Sequence, residues 1–293
     1  MKIFDCTTYY SEDLMLDVRF NVLNENVHKF IIVESTYSHS GERKKLNFDI
    51  NNFKKFKDKI IYLVIENEPE GIQSSNQKKI SSSVKRMNSI KRIEQSYNFM
   101  SKGITQADDN DLIIISDNDE IPNLRSDQFK KNKKDIIIFK QLFFYYKFNL
   151  YYDLIPWYGS KACKKKKLKS FSWLRNLKNK IYPYWRIDSY FSIYKERNLE
   201  IINNGGWHFT NVKTPEELYK KLLNYGHHNE FEDSGFSLED VKNQISKQIV
   251  NYDHTADKRD QKNNFEYKLK KVGTNILPNY IQNNLSKFKD WIS

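Results

Sequence analysis

Short, uninterrupted apolar runs along the first half of the chain constrain its fold most strongly. Phe30-Ile31-Ile32-Val33, Ile60 to Ile65, Leu112-Ile113-Ile114-Ile115 and Ile136 to Phe139 are continuous rather than alternating. A strand with one wet face alternates, so runs like these belong to strands buried on both faces, as parallel strands under helices are. Ile3 to Asp5 reads as the start of a further strand. Helical spacing fills the gaps: Leu14, Val18, Val22 and Leu23 form one stripe, and Ile80, Val84, Met87, Ile90, Tyr97 and Met100 another, with Gly103 as a stop. Strand and helix in alternation predict an α/β sheet with right-handed crossovers.

The rest of the chain reads differently. Gln141 to Trp157 is rich in aromatic residues, and Lys161 to Lys180 is a basic stretch read as a loop. Thr214-Pro215-Glu216-Glu217 has the capping-box pattern with proline at the first helical position, and Gly226 is a stop for that helix. Ser237-Leu238-Glu239-Asp240 is a second such start. The expected organisation is one α/β domain over 1–230, including the basic loop 161–180, with a helical extension over 231–293 packed on it. With 39% hydrophobic and 29% charged residues, the chain supports a packed core and is not a disordered polymer. Two cysteines, Cys6 and Cys163, make no disulfide framework and suit a reducing compartment. No apolar run approaches the roughly 18 residues of a spanning helix, and Met1 to Asp5 does not open a signal peptide. A cytoplasmic location, at most peripheral to a membrane, is expected.

The segment with most chemical content is Asp111 to Pro122. A buried run, Leu112 to Ile115, passes through Ser116 directly into Asp117-Asn118-Asp119-Glu120. Ligands of open α/β sheets bind beyond the carboxyl ends of strands. Carboxylates crowded there repel one another unless a cation or a shared proton compensates. Mg²⁺ and Mn²⁺ prefer oxygen ligands and keep positions free for substrate phosphates. A strand ending in Asp-x-Asp therefore suits a metal that bridges protein and diphosphate; the plain alternative is a solvated acidic turn. An EF-hand is excluded, since the required glycine and closing glutamate are missing, and no Gly-Lys-Ser/Thr phosphate loop is present.

Several segments, in order, resemble glycosyltransferase family 17. Glu12-Asp-Leu-Met-Leu-Asp-Val-Arg19 resembles its early Leu-rich, Arg-containing helix. Phe30-Ile-Ile-Val-Glu34-Ser35, with His39-Ser40-Gly41 and Lys44, resembles its "VIVES…HSG" strand and loop. Ile114-Ile-Ser-Asp117-Asn-Asp119-Glu120-Ile-Pro122 resembles its "IISDxDEIP" core, and Gly205-Gly206-Trp207-His208-Phe209 with Thr214-Pro215-Glu216 its "GWH…TPE" segment. The resemblance runs from residue 1 to about 230. It departs at Ser96-Tyr97-Asn98, where the family carries Gln-Arg-Asn, although Arg92 remains.

The resemblance implies a GT-A-type, Rossmann-like mixed sheet flanked by helices, a nucleotide-sugar donor (UDP-GlcNAc by family default), Mn²⁺ or Mg²⁺, and inversion at the anomeric carbon. The acceptor is a glycan or a lipid-linked sugar. Asp117 and Asp119 are then the metal and diphosphate residues, with Asp119 the direct ligand. Asp119 and Glu120 are the catalytic candidates, Glu120 being a ligand, an orienting group or a cap of the turn. Glu34 ends a strand on the same sheet edge and is placed for the nucleoside or is a surface carboxylate. Lys44, by the resemblance, pairs with donor phosphates. His208 completes a metal shell, contacts diphosphate or is a structural histidine; Trp207 stacks on a sugar or anchors its loop. For the general base, Asp119, Glu120, Asp153 and Glu232 are all open.

The net charge is +12, and nine of the surplus cations fall between Lys161 and Lys180, around Phe171, Trp173 and Leu174. Such a mixture suits docking on anionic lipid headgroups or a phosphorylated acceptor, or is a solvated loop. Charge this local does not make a nucleic-acid groove, and no nucleic-acid module is recognisable, so nucleic acid is not an expected partner. The rival readings are a two-metal phosphotransfer protein and a non-catalytic carbohydrate-binding protein. No feature fixes an oligomeric state.

Overall fold

A computed structural model describes residues 1–73, 81–224, 237–252 and 265–293. Among them, strands β1 (Ile3–Thr8), β2 (Lys29–Ser35), β3 (Ile60–Ile65) and β4 (Leu112–Ser116) form a parallel array in the order β3-β2-β1-β4. They contain the predicted start at Ile3 and the apolar runs of β2, β3 and β4, although β3, at the edge of the sheet, is only half-buried along most of its length. Alternate residues of a strand point to opposite faces, and β4 shows both faces buried. Leu112 and Ile114 enter one core cluster with Phe20 and Phe30, while Ile113 and Ile115 enter a second with Met100 and Trp173.

Helix α1 (Asp13–Leu23) covers the first face, and α2 (Ser82–Phe99) lies over the second. The sheet then continues antiparallel. Strand β8 (Trp157–Lys164) pairs with β4, and β6 (Ile136–Tyr145) pairs with β8. The run predicted at Ile136 to Phe139 is thus the first part of a longer strand. Strands β9 (Leu199–Ile202) and β10 (Gly206–Thr210) run parallel to β6, and β5 (Glu120–Pro122) pairs antiparallel with β10. The result is a mixed sheet of 11 strands flanked by helices, as expected.

Three expectations change. The basic stretch is no loop: after the five-residue helix α3 (Asp127–Lys131), Lys161 to Lys164 complete β8, and Phe171–Asn176 is a short helix, α4. Phe171, Trp173 and Leu174 are buried in the second core cluster, so they are not available to insert into a membrane. In α2, Met87 and Ile90 face solvent, whereas Asn88, Ser89 and Arg92 are buried. That inner face is polar because it meets loop backbone: Ser89 Oγ donates to the His39 carbonyl at 2.9 Å, and Asn88 bonds both the amide and the carbonyl of Gln73. Ile80 of the predicted stripe lies outside the described residues.

Among the described residues, the C-terminal part combines helix with short strands: α6 (Leu238–Lys247), β11 (Ile249–Val250), β12 (Tyr267–Lys268), β13 (Lys270–Lys271) and α7 (Asn279–Gln282), with 3-10 turns at Thr274–Ile276 and Lys289–Trp291. Strand β13 joins the edge of the main sheet through β7 (Leu150–Tyr151), and Phe288 packs edge-on against Phe148 at 5.5 Å in the first core cluster. The segment is an integral part of the domain's core. Both predicted capping boxes are present, Ser237 with Asp240 and Thr214 with Glu217, the latter opening α5 (Pro215–Asn224). The expected boundary at 230/231 and Gly226 lie outside the described residues. Also among the described residues, no helix is long and apolar enough to cross a membrane.

Candidate active site

The acidic turn emerges where β4 leaves the sheet, beside the ends of β1 and β2. Its first and last residues close on each other: the Glu120 amide donates to the Asp117 carbonyl at 3.0 Å, and the Asp117 amide to Glu120 Oε2 at 2.9 Å. Arg19 of α1 holds the turn from beneath. Its guanidinium grips the Asp5 carboxylate of β1 at 2.6 and 2.7 Å and donates to the carbonyls of Glu120 at 2.7 Å and Asp117 at 3.3 Å. Both partners of this ion pair are fully buried. Removing one partner of such a pair strands a charge in the interior and typically costs about 3–5 kcal/mol. The pair therefore ties helix, strand and turn into one rigid unit.

Two carboxylates of the turn, Asp117 and Glu120, share Arg175, and the third, Asp119, faces away from it. Asp117 accepts from Tyr97 of α2 at 2.8 Å and from Arg175 of α4 at 2.6 Å. Position 97, where the family motif has arginine, is thus a hydroxyl donor, and the guanidinium beside Asp117 comes from α4. Glu120 is fully buried and accepts from Trp157 Nε1 at 2.7 Å and from Arg175 at 3.3 Å. Burial raises its carboxyl above the usual range, Arg175 opposes this, and the neighbouring Asp117 adds to the rise. Gly159 of β8 leaves the room Glu120 needs: a Cβ there would stand 2.4 Å from the carboxylate carbon.

Asp119 points elsewhere. Its carboxylate lies 3.5 Å from His208 Nε2 and 3.9 Å from Lys221 Nζ of α5. Burial alone would raise this acid, but His208 and Lys221 outweigh it and hold it well below the ordinary carboxylate range. His208 packs against Phe143 at 4.7 Å and Trp157 at 4.4 Å, rings that also touch each other at 4.9 Å, and its buried Nδ1 meets no hydrogen-bond partner. Among the described residues, no three His, Cys, Asp or Glu side chains are arranged as a metal cage.

A cavity of about 360 Å³ opens on Asp119. Tyr9 and Glu12 line it from the stretch linking β1 to α1, Asn47 from the loop after β2, and Lys213 and Lys221 from α5 and its approach. Lys213 and Lys221, opposing the effect of burial, hold Glu12 below its ordinary value. The cavity wall thus carries two lysines among four acids, Glu12, Asp13, Asp119 and Glu217. Of the predicted site residues, Asp119 alone lines it.

The other predicted residues are placed as follows. Glu34 is fully buried and accepts from Lys44, from Tyr62 at 2.8 Å and from the amides of Asn47 at 2.8 Å and Phe48 at 3.1 Å. Glu34 and Lys44 are thus paired with each other, and together they pin the loop that brings Asn47 to the cavity. Trp207 lies across β10 from His208 and donates to the Ile276 carbonyl at 2.7 Å, anchoring the C-terminal segment rather than facing Asp119. Asp153 accepts from Tyr267 and Lys270. Glu232 lies outside the described residues. Sequence reasoning did not find Arg19, Tyr97, Trp157, Arg175, Lys213 or Lys221 as site residues. Arg175 was visible only as one more cation in a basic run, and Arg19 only as part of a matched helix.

Comparison with known proteins gives one strong match. The profile of glycosyltransferase family 17 covers residues 1–291. No curated protein matches the sequence. Similar solved structures include HddC from Yersinia pseudotuberculosis, at 13% identity and a TM-score of 0.35 over 75% of this chain and 97% of that one. Another is 2-C-methyl-D-erythritol 4-phosphate cytidylyltransferase from Francisella tularensis, at 9% identity and 0.34 over 77% and 100%. Likenesses this remote carry no argument about chemistry. The family profile spans nearly the whole sequence, including every segment that builds the turn and the cavity: the chain belongs to glycosyltransferase family 17.

Proposed function

We propose that this glycosyltransferase takes its sugar from a nucleotide-sugar donor, UDP-GlcNAc by family default, whose diphosphate lies in the cavity beside Asp119, and passes it to a glycan or lipid-linked acceptor with inversion. The observation that carries the reading is Asp119 itself. It is held ionised on a cavity wall, with a histidine at 3.5 Å and a lysine at 3.9 Å. Asp119 and His208 suit a divalent cation: an ionised oxygen donor and the imidazole Nε2 converge to 3.5 Å. Mg²⁺ is commonly bound by one or two protein groups with substrate phosphates completing the shell. Such an ion supplies Lewis-acid stabilisation of the leaving diphosphate.

The remaining work falls to the chain. Lys213, 3.7 Å from Glu12, and Lys221, 3.9 Å from Asp119, neutralise diphosphate oxygens. Asp117 and Glu120, tied to Arg175, Tyr97 and Trp157, hold the turn in place. The acceptor hydroxyl gives its proton to a carboxylate as its oxygen attacks the anomeric carbon, and the bond to diphosphate breaks. Glu12, Asp13 and Glu217 line the cavity beside Asp119, and the base is sought among these four carboxylates rather than at the enclosed Glu120.

Thermal unfolding with UDP tests the placement. UDP with Mn²⁺ at about one hundred times its Kd stabilises the wild type by about 2.7 kcal/mol, read as a rise in Tm. In Asp119→Asn the Mn²⁺-dependent part of that rise disappears. An undiminished Mn²⁺ effect in Asp119→Asn rules out Asp119 as the ligand.

A further inference from the structure

Residues 181–194, which follow α4, carry an exposed aromatic surface that the donor site does not use. Trp185 is 81% exposed, Phe191 86%, Tyr184 75% and Ile187 71%, and Tyr190 and Ile193 are also open. This is not a frayed end. The Ile193 carbonyl accepts from the buried Trp173 indole at 2.7 Å, and the Tyr194 carbonyl from the Lys178 amide at 2.9 Å. The segment is thus strapped to α4, the helix that carries Arg175.

Large apolar side chains gathered on one exposed surface mark a docking site, and the surrounding charge selects the partner. Lys178 and Lys180 are exposed and make no ion pair among the described residues. The acids of the segment are already matched: Asp188 pairs with Arg186 at 2.7 Å and Lys195 at 2.5 Å, and Glu196 lies 3.9 Å from Lys169. A second cavity, of about 350 Å³, opens within the same surface. Lys169, Lys195, Glu196 and Arg197 line it with Tyr184 and Tyr190, and the Arg197 guanidinium lies 3.2 Å from the centre of the Tyr190 ring. Lys169 and Lys195 are shared with Glu196 and Asp188, and Arg197 adds a further cation, so exposed Trp and Tyr rings, which settle at the headgroup level of a bilayer, border a pocket with a cationic excess for a phosphate.

We propose that residues 178–197 dock the protein on an anionic lipid surface, with Trp185, Ile187 and Phe191 entering the interface and a lipid headgroup phosphate in the pocket of Lys169, Lys195 and Arg197. This moves the membrane contact expected at 161–180 to the next segment, because the apolar residues of the earlier stretch are buried. The inference does not depend on the donor chemistry.

Co-sedimentation of the full chain with vesicles tests it. The protein pellets with vesicles of phosphatidylcholine plus phosphatidylglycerol and stays in solution with phosphatidylcholine alone, and added salt weakens the binding. The double change Trp185→Ala with Phe191→Ala weakens it at least about tenfold. Lys178→Ala with Lys180→Ala also weakens it about tenfold or more, since each surface cation contributes to attraction by the anionic leaflet. All four positions are exposed, so the unfolding temperature and the metal-dependent UDP response stay as in the wild type. Failure to pellet with anionic vesicles overturns the proposal, as does pelleting that ignores either double substitution. Self-association lost on Trp185→Ala with Phe191→Ala, without vesicle binding, assigns the surface to a second copy. Binding of soluble glycerol phosphate without vesicle binding reduces it to an anion pocket.

Discussion

Arg175 settles a local electrostatic problem. Asp117 and Glu120 lie on one turn, Glu120 fully buried, and a single guanidinium reaches both. Arg175→Ala leaves both carboxylates without their cation and is expected to cost roughly 3 kcal/mol, the low end for a buried pair because Asp117 is partly open to water. Lys178→Ala, three residues further on and exposed, is expected within about 0.5 kcal/mol of wild type; chemical denaturation of both variants measures the contrast. Lys161 makes a separate prediction. Its ammonium is buried against the carbonyls of Arg175 and Leu177, and burial pushes its pKa down to about 7. An ordinary lysine titrates near 10.4. Between these values the folded chain has released a proton that the unfolded chain keeps, so stability rises as pH climbs through that window. Tm measured across it should rise more steeply for the wild type than for Lys161→Met. At this scale the sequence was legible in the acidic turn at a strand end, whose Asp119 reaches a cavity wall. It was silent about Arg175, which meets Asp117 across a separation of 58 residues. No local spacing encodes that contact.

Among the elements, the buried strands were readable because burial on both faces leaves no polar position to disguise them. Helix α2 was readable as a helix, but its inner face was not. Asn88, Ser89 and Arg92 face inward because they bond loop carbonyls and Glu68, and those partners are known only once the fold is formed. The basic stretch misled for a related reason: Lys161 belongs to a strand interior and Arg175 to the site, and a charge count registers neither. Strand β8 also carries Gly159, whose missing side chain makes space for the Glu120 carboxylate and for Gln141 Oε1. Both side chains are confined, so Gly159→Ala has to displace the Glu120 carboxylate from Trp157 and Arg175. The expected result is a loss of at least about 3 kcal/mol in stability and of nearly all transferase activity, measured together by denaturant titration and by nucleotide release.

In the whole molecule, the sheet and the C-terminal segment form a single body. Phe288 completes the first core cluster, β13 extends the sheet, and Trp291 forms part of the wall of the cavity that Asp119 faces. Residues from near both ends of the chain thus enclose the proposed donor site. The parallel half of the sheet and the place of the acidic turn could be read from apolar runs and one Asp-x-Asp. The closure by Lys213, Lys221 and Trp291 could not, because it depends on how distant segments pack. The central claim is that this closed site releases a nucleoside diphosphate from a nucleotide sugar with Asp119 holding the metal. Nucleotide release from a panel of UDP- and GDP-sugars, with Mn²⁺ or Mg²⁺ and with EDTA, measures it directly. The predicted result is release from at least one donor, lost in EDTA and reduced by about 100-fold or more in Asp119→Ala, the scale of losing one transition-state contact. Release that persists in EDTA and is unchanged in Asp119→Ala would contradict it.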